Sequence, residues 1–160
     1  MKNIVPIGLI LFITLVIISS SGCTGNGISY KTFTSQYMSF QYPEGWTTEL
    51  NSVDGVIIRE NSSSTDQQWF EVTPYGTNGG NMLTLDDFKT DMATDISESN
   101  PPDLKNGNIN GTSYEYTEDS NSGDGNSGKS IFFTKNGKSV IIYGNVKDMT
   151  VLEHVVATFN

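Results

Sequence analysis

The sequence predicts an α+β domain in which an antiparallel β-sheet is flanked by helices. Three features of the 160-residue chain indicate this fold class: short runs of alternating apolar and polar residues, turn signals between those runs, and two longer runs with apolar residues every three or four positions. Along the chain, strands are followed by one helix, then by further strands and a terminal helix. This order is typical of antiparallel sheets that carry helices on their faces.

The first half of the chain predicts four strands. In the segment Tyr37–Trp46, the residues Met38, Phe40 and Tyr42 alternate with polar residues, which indicates a half-buried strand that ends in a turn with Pro43 and Gly45. A short strand follows that turn, and the pair Asp54-Gly55 is typical of a hairpin turn. The remaining two predicted strands are Val56–Glu60 and Gln68–Tyr75.

The two longer periodic runs predict helices. The first has an apolar stripe, with Thr84 as N-cap and Asp87 at the capping-box position. The second, at the end of the chain, has a capping-box pair formed by Thr150 and Glu153. The stripe of the first helix is Leu85, Phe88, Met92 and Ile96, and that of the second is Leu152, Val155, Val156 and Phe159.

Two further stretches predict strands between the helices. Residues Gly107–Asp119 are expected to form a single strand with Tyr114 and Tyr116 on one face. Downstream, two runs rich in β-branched and aromatic residues flank Asn136-Gly137, which is the strongest short signal for a β-hairpin.

The N-terminus predicts export and a lipid anchor. Lys2 precedes a run of about 15 mostly apolar residues, and small residues follow, in the order typical of a secretory signal. Ser20-Ser21-Gly22 before Cys23 resembles the lipobox of prokaryotic lipoproteins, although bacterial lipoboxes favour leucine where Ser20 stands and archaeal ones are looser there. We expect residues 1–22 to be a lipoprotein signal peptide, 23–35 a lipidated N-terminus with a flexible tether, and 36–160 one domain at the extracytoplasmic face of the cell membrane.

Other roles for Cys23 are less compatible with the sequence than a lipid anchor. The chain contains one cysteine, so an internal disulfide is excluded. A catalytic thiol requires a base, and no histidine lies nearby in the sequence. A buried structural cysteine directly after an apolar run is unfavourable, and an uncleaved signal anchor remains as the alternative to lipid attachment.

Composition excludes several classes of function. The formal net charge is −9 without a cluster of Lys or Arg, so nucleic acid is not an expected partner. A single histidine, His154, rules out a site built on a histidine pair or a Cys/His cluster. No G-x-S-x-G elbow, nucleotide fingerprint or P-loop occurs. We therefore expect no catalytic residues, no cofactor and no metal site, and the chain is not predicted to be an enzyme.

Four features remain as candidate sites. The carboxylates Asp87, Asp91 and Asp95 share one helix face and form either an acidic binding stripe or a solvated surface. The segment Asp119–Lys129 resembles a calcium loop but fails the EF-hand template at its first and last ligands, so a hairpin tip is the alternative. His154 is expected at the boundary of the core. The sequons at Asn61 and Asn110 are candidate N-glycosylation sites on an exported protein.

The stretch "FQYPEGW", residues 40–46, resembles the opening F-x-Y-P-x-x-W strand of PsbP-like proteins. Asn108 to Gly111 with the following tyrosines is similar to the central strand of that family, and the helix ending at Phe159 is similar to its closing helix. The resemblance covers about residues 34–160 and implies the Mog1/PsbP-like α/β/α sandwich in a prokaryotic, archaeal-type lipoprotein.

Photosynthetic PsbP proteins assist the oxygen-evolving complex and influence calcium and chloride retention, but none of their functional residues maps onto a position here. The resemblance and the anchor together imply a non-enzymatic interaction or assembly module with a protein partner. The alternative is a surface lipoprotein that binds a small ligand or a metal ion such as calcium.

Overall fold

The fold is taken from a computed structural model that describes residues 27–51, 54–77, 80–95 (backbone only from 91), 104–118 and 128–160. Nine strands and two helices occur in these residues. They are β1 (Tyr30–Thr34), β2 (Ser39–Pro43), β3 (Trp46–Leu50), β4 (Val56–Glu60), β5 (Trp69–Tyr75), α1 (Leu85–Asp95), β6 (Lys105–Ile109), β7 (Thr112–Glu118), β8 (Lys129–Lys135), β9 (Lys138–Asn145) and α2 (Met149–Thr158).

The described strands form an antiparallel sheet of seven and a separate hairpin of two. The large sheet has the order β3-β4-β5-β9-β8-β7-β6, and β1 pairs with β2 in the hairpin. Every pairing is antiparallel. Mostly antiparallel sheet with two helices is an α+β fold, as the sequence predicts. The neighbours β5 and β9 are far apart in the chain, because α1 and β6–β8 lie between them in sequence.

One face of the large sheet, the inner face, carries the main hydrophobic core. Because side chains alternate along a strand, paired residues on neighbouring strands form apolar rows on this face. One row crosses four strands through Val56, Val72, Ile142 and Ile131, all 0% exposed. The helix α2 and the β1–β2 hairpin close this core. Their buried side chains include Phe33, Phe40, Val151, Leu152, Val155 and Val156.

The opposite face, the outer face, carries a smaller apolar cluster. Phe132 precedes the inner-face residue Phe133 in β8, so it points to the outer side of the sheet. Phe88 of α1 stacks on it, with ring centroids 5.4 Å apart and an interplanar angle of 24°. Four partly buried residues complete the cluster: Leu83, Leu85, Leu104 and Ile141. The two helices therefore contact the sheet through different faces.

Two Asn-Gly pairs make the same kind of turn. Asn136 and Gly137, between β8 and β9, have φ values of 52° and 72°, and this hairpin is confirmed. Asn110 and Gly111 have φ values of 50° and 81° and join β6 to β7. The prediction of one strand over Gly107–Asp119 is therefore wrong, because a left-handed turn of the type that Asn-Gly favours divides it.

The N-cap of α1 agrees with the sequence prediction. The backbone N–H of Asp87 donates to Thr84 Oγ1 at 3.1 Å, and the backbone N–H of Thr84 donates to Asp87 Oδ2 at 2.9 Å. These reciprocal bonds are those of a capping box. In the apolar stripe, Phe88 is buried, whereas the side chain of Met92 and all of Ile96 lie outside the described residues.

The predicted cap of α2 is wrong. The N-cap is Asp148, whose carboxylate accepts a hydrogen bond from the backbone N–H of Thr150 at 2.9 Å. Aspartate is as good an N-cap as serine or threonine, so the helix begins earlier than Thr150. Glu153 is consequently not a capping residue, and its carboxylate accepts a hydrogen bond from the Tyr114 hydroxyl across the inner face.

The folded part of the chain begins earlier than predicted. Residues 30–34 were expected in the flexible tether, but they form β1, and the Ser29 carbonyl already accepts a hydrogen bond from Glu44 N at 2.9 Å. The tether prediction is therefore wrong for Tyr30–Thr34, and the domain starts before residue 36. Within the described residues, neither α1 nor α2 has the length and apolar character of a membrane-spanning helix.

Candidate functional site

The part of the outer face beyond the Phe88–Phe132 cluster carries a partly exposed aromatic and charged surface. We call it the Trp69 surface, and it consists of Arg59, Trp69, Glu71 and Tyr143. The pairing register places these residues side by side, because Arg59 lies opposite Trp69 and Glu71 lies opposite Tyr143. They come from β4, β5 and β9, three adjacent strands near one end of the sheet.

The side chains of the Trp69 surface contact one another. The rings of Trp69 and Tyr143 meet edge to face, with centroids 5.6 Å apart at 75°. The Arg59 guanidinium lies 5.7 Å from the centre of the Trp69 ring, within the range of a cation–π contact. Its Nε is 3.5 Å from a carboxylate oxygen of Glu49 on the edge strand β3. These contacts hold large side chains in place on a surface that water reaches.

Glu71 is held by two hydrogen bonds to the same carboxylate oxygen. Asn51 Nδ2 donates to Oε1 at 2.8 Å, and Thr73 Oγ1 donates to it at 3.0 Å. The other carboxylate oxygen can accept further bonds, because an ionised carboxylate has about four acceptor positions. The surface therefore offers an oriented acidic group beside two aromatic rings.

This arrangement suits contact with another protein. Tyr143 is 45% exposed, although it is a large aromatic residue. Trp, Tyr and Arg are the residue types enriched in protein–protein interfaces and among the side chains that dominate binding energy. A β-sheet surface with a few ordered polar groups offers a broad contact area rather than an enclosed pocket.

A cavity of ≈ 370 Å³ lies beside this surface, at the end of β5. Asp54 is its acidic lining residue, and its Oδ2 accepts a hydrogen bond from Thr77 Oγ1 at 2.6 Å. Thr73 lines the cavity and also contacts Glu71, so the cavity opens next to the Trp69 surface. Small-molecule sites have volumes of about 300–1,000 Å³, so the size suits a small ligand. The lining residues are Asp54, Thr73, Pro74, Tyr75, Gly76, Thr77, Gly80 and Asn81.

His154 lies at the boundary between α2 and the β1–β2 hairpin. Its ring stacks on Tyr30, with centroids 3.7 Å apart and an interplanar angle of 22°. Its Nε2 is 3.0 Å from Gln41 Oε1, and the backbone N–H of Gln41 donates to Thr158 Oγ1 at 3.0 Å. Burial lowers the pKa of His154 from its usual value of 6.5. These contacts of His154 and Gln41 stabilise the packing of the β1–β2 hairpin against α2, so His154 has a structural role.

The candidate residues from the sequence do not converge on one site. Asn61 and Asn110 are both exposed, but Asn61 follows β4 and Asn110 lies in the β6–β7 turn at the other end of the sheet. Cys23 and residues 119–127 of the calcium-like loop lie outside the described residues. Glycosylation and lipid attachment therefore stay predictions.

In the acidic stripe of α1, the structure explains the role of Asp87 only. Asp87 is exposed, and hydrogen bonds from Thr84 lower the pKa of its carboxyl group, so its role is to cap the helix. The side chains of Asp91 and Asp95 lie outside the described residues. Within the part of the chain that the structure describes, no group of three or more His, Cys, Asp or Glu side chains is placed to hold a metal ion.

Sequence reasoning missed the Trp69 surface. Arg59 and Trp69 are ten positions apart, and Tyr143 is 74 positions further along the chain, so no local motif contains them. A usable signal is present in the alternation of β5, because Phe70 and Val72 share one face of the strand and Trp69 must then lie on the other. Which residues lie beside Trp69 depends on the pairing of β5 with β9, which the sequence does not specify.

Several solved structures have a similar fold, and two of them illustrate the likeness. A crystal structure from Bacteroides thetaiotaomicron VPI-5482 has a TM-score of 0.50 at 15% identity and covers 81% of this chain and 47% of that one, so this chain spans about half of its length. The solution structure of cyanobacterial PsbP (CyanoP) from Synechocystis sp. PCC 6803 has a TM-score of 0.49 at 19% identity, covering 87% and 96%. At these identities the likeness concerns the fold alone. No protein-family model and no curated protein matches the chain.

Proposed function

We propose that this chain is a non-enzymatic, lipid-anchored interaction or assembly module that contacts a partner protein through the Trp69 surface. The observation that carries the proposal is the group formed by exposed Tyr143 with half-buried Trp69 and Arg59 on the part of the outer face beyond α1. Residues of these types, partly exposed and ordered by mutual contacts, are typical of binding interfaces. In this proposal the domain has the Mog1/PsbP-like sandwich architecture and resides at the extracytoplasmic face of the membrane.

The start of the folded domain supports a location close to the membrane. Ser29 is already bonded to Glu44. From Cys23 to Ser29 is six residues, which reach at most roughly 20 Å when fully extended. A lipid on Cys23 would therefore hold the domain near the headgroups, where it can meet membrane-bound partners. The predicted tether to residue 35 would have allowed a much longer reach.

The anchor is tested separately from the binding surface. Cys23→Ser should abolish incorporation of a labelled lipid precursor and move the protein from the membrane fraction to the soluble fraction. Thr24→Ser, at the neighbouring position, is the matched control and should leave both unchanged. Persistent labelling of the Cys23→Ser variant would refute lipid attachment at this residue.

The Trp69 surface is tested by photocrosslinking in native membranes. A benzophenone amino acid at Tyr143 should give a discrete adduct with another protein. The matched control is the same amino acid at Ser113, which is exposed on the outer face at the far end of the sheet. The adduct from position 143 should be lost when Arg59→Ala is added. Equal adducts from both positions, or an adduct insensitive to Arg59→Ala, would contradict the proposal.

The cavity at Asp54 supports a second candidate function, the binding of a small ligand or a cation such as calcium. A ligand that binds the native state raises the apparent thermal stability. Calcium chloride should therefore raise the melting temperature of the parent chain but not that of Asp54→Asn. Asp66→Asn, which changes an exposed acid in the β4–β5 loop, is the control and should keep the shift. An equal shift in all three proteins would indicate non-specific binding.

A further inference from the structure

Both edge strands of the described sheet carry exposed residues, at four of five positions in β3 and at three of five in β6. β3 lies at one end of the sheet and β6 at the other. In β3, Trp46 is buried and the four residues Thr47–Leu50 are all exposed. Leu50 is 68% exposed, which is unusual for a leucine within a strand. An exposed edge strand is a template for pairing with another strand.

The hydrogen-bond pattern shows which backbone groups of β3 point outward. The backbone N–H of Asn51 donates to the Gly55 carbonyl at 3.2 Å, next to the β4 pairing. In an antiparallel pair, alternate residues bond to the partner strand. The backbone N–H and C=O groups of Glu49 therefore point towards β4. Those of Thr48 and Leu50 point away from the sheet.

The sequence of β3 has no lysine or proline, the two residues that most often protect an edge. Natural sheets protect edge strands with charged residues, especially lysine, and with proline or bulges. The one charged residue of β3, Glu49, is paired with Arg59. β6 contains Lys105 and Gly107, and Lys105 forms an ion pair with Glu118 of β7 at 3.7 Å. β3 reads Trp-Thr-Thr-Glu-Leu, which has no lysine, proline or glycine and two β-branched residues that favour strands. Lysine opposes strand addition at the β6 edge, and β3 has no lysine.

We propose that β3 pairs antiparallel with β3 of a second copy of this chain, centred on Thr48. In this register Thr48 faces Thr48, Trp46 faces Leu50, and Thr47 faces Glu49 of the other copy. Alternate residues of a strand share a face, so Trp46, Thr48 and Leu50 lie on the inner face. The pairing therefore places Leu50 of each copy against Trp46 of the other copy. The outward N–H and C=O groups of Thr48 and Leu50 gain partners in the same step.

Charge placement favours the same register. Each Glu49 faces Thr47 of the other copy and not the other Glu49, so like charges are not directly opposed. Arg59 lies opposite Thr47 in the sheet, one strand further from the edge. Within each copy the Arg59 Nε already lies 3.5 Å from the Glu49 carboxylate, so part of the acidic charge at this edge is compensated before the strands pair. This matters in a chain with a formal net charge of −9, because two such chains repel one another in general.

The contact is small and does not depend on the Trp69 surface. A pair of five-residue strands buries less than the roughly 1,200 Å² typical of stable complexes. If the proposed lipid anchor is present, it confines both copies to a membrane and raises their effective concentration, which strengthens a weak contact. The strand pairing itself does not rest on the proposed partner.

Disulfide trapping tests the pairing in the full-length protein in its native membrane. Opposed hydrogen-bonded residues have Cα atoms about 5.5 Å apart, inside the window of about 4.4–6.8 Å for a disulfide. Under mild oxidation, Thr48→Cys should give a disulfide-linked dimer in about tenfold higher yield than Thr47→Cys. In this register the two residues at position 47 are diagonal neighbours, with their Cα atoms more than about 7 Å apart, too far for a disulfide. Asn108→Cys on the β6 edge and the parent chain are further controls. Equal yields for positions 48, 47 and 108 would overturn the proposal.

A charge on the β3 edge provides the second test. Leu50→Lys in the Thr48→Cys background should reduce dimer yield to the level of the controls, because lysine at an edge opposes strand addition. Asn108→Lys, at an exposed position on the other edge, should leave the yield unchanged, as should Trp69→Ala. Far-UV circular dichroism confirms that each variant is folded. A yield that survives Leu50→Lys in a folded protein would exclude β3 as the contact.

Discussion

The inner and outer faces of the sheet are covered to different extents. On the inner face, α2 and the β1–β2 hairpin bury a continuous core. On the outer face, α1 covers the area around Phe132, and the Trp69 surface beyond it reaches solvent. Adjacent residues of β5 show the difference, since Phe70 is 0% exposed and its neighbour Trp69 is only half-buried.

This difference separates stability from binding in one sheet. Burial of apolar area contributes about 25 cal/mol per Å², so the inner face supplies most of the folding free energy. Large side chains on the outer face contribute less to folding, and they remain available for a partner. Substitutions on the inner face should therefore strongly change the free energy of unfolding. Substitutions on the Trp69 surface of the outer face should mainly change association with a partner.

The largest expected effect is that of Phe70→Ala on the inner face. Phe70 packs against Trp46, with ring centroids 5.8 Å apart, and its removal leaves a cavity. Truncation of a buried phenylalanine costs about 3–5 kcal/mol. Urea unfolding of the full-length chain measures the loss. A loss below about 1 kcal/mol would mean that the inner face is not the main core.

Gly107→Ala should have the next largest effect. A Cβ at Gly107 would overlap the ring of Tyr114, the residue that faces it across the β6–β7 pair. Burial and the neighbouring Glu153 carboxylate raise the pKa of the Tyr114 hydroxyl, so this group stays protonated and donates to Glu153. Displacing the ring strains a packed site, which costs about 1–3 kcal/mol.

Gly45→Ala is the matched control for Gly107→Ala. Nothing lies within 4 Å of a Cβ built at Gly45, and its φ is not in the left-handed range. Replacement of such a glycine changes stability by less than about 1 kcal/mol and can increase it. Equal unfolding free energies for the two variants would show that the Tyr114 ring does not need the space at Gly107.

A smaller effect is expected from pH, through His154 at the margin of the inner face. Burial lowers the pKa of folded His154 below 6.5, so the unfolded chain binds more protons as the pH falls through that value. The contribution of His154 to the free energy of unfolding is therefore fully present above pH 6.5. It decreases as the pH falls below 6.5 and stops changing below the pKa of the folded state. Asp87 and Asp148 have lowered pKa values, and their contribution is lost only below 3.8, in a separate range.

His154→Gln separates this titration from the others. The variant keeps a polar side chain near Gln41 and Tyr30 but has no group that titrates near 6.5. Unfolding free energies at about pH 8 and about pH 5.5 should differ in the parent and become nearly equal in the variant. The same difference in both proteins would assign the pH dependence to other groups.

Local signals in the sequence predicted most of the elements, because strands and capped helices depend on neighbouring residues. The strand Val56–Glu60, the Asn136-Gly137 hairpin and the Thr84–Asp87 cap illustrate this. The same kind of signal was present at Asn110-Gly111 but was outweighed by the tyrosine alternation that follows it. Local rules conflict at that point, and only the pairing of β6 with β7 resolves the conflict.

Non-local contacts account for what the sequence did not predict. Glu153 completes a capping-box pattern, yet its carboxylate accepts from Tyr114, which is 39 positions away. β1 lies in a stretch with tether-like composition, and its order comes from pairing with β2 and from the stacking of Tyr30 on His154. The Trp69 surface depends in the same way on strand order, which no stretch of the chain encodes by itself.

The smallest effect on stability is expected for Trp69→Ala, which is the direct test of the difference between the two faces. The side chain is half-buried and contacts Tyr143 and Arg59, so its loss should cost about 1 kcal/mol or less, well below that of its neighbour Phe70. The photocrosslink from position 143 should nevertheless be lost, because aromatic anchors dominate association. A folded Trp69→Ala protein with an undiminished adduct would remove this surface as the binding site, and a loss near that of Phe70→Ala would make Trp69 part of the core.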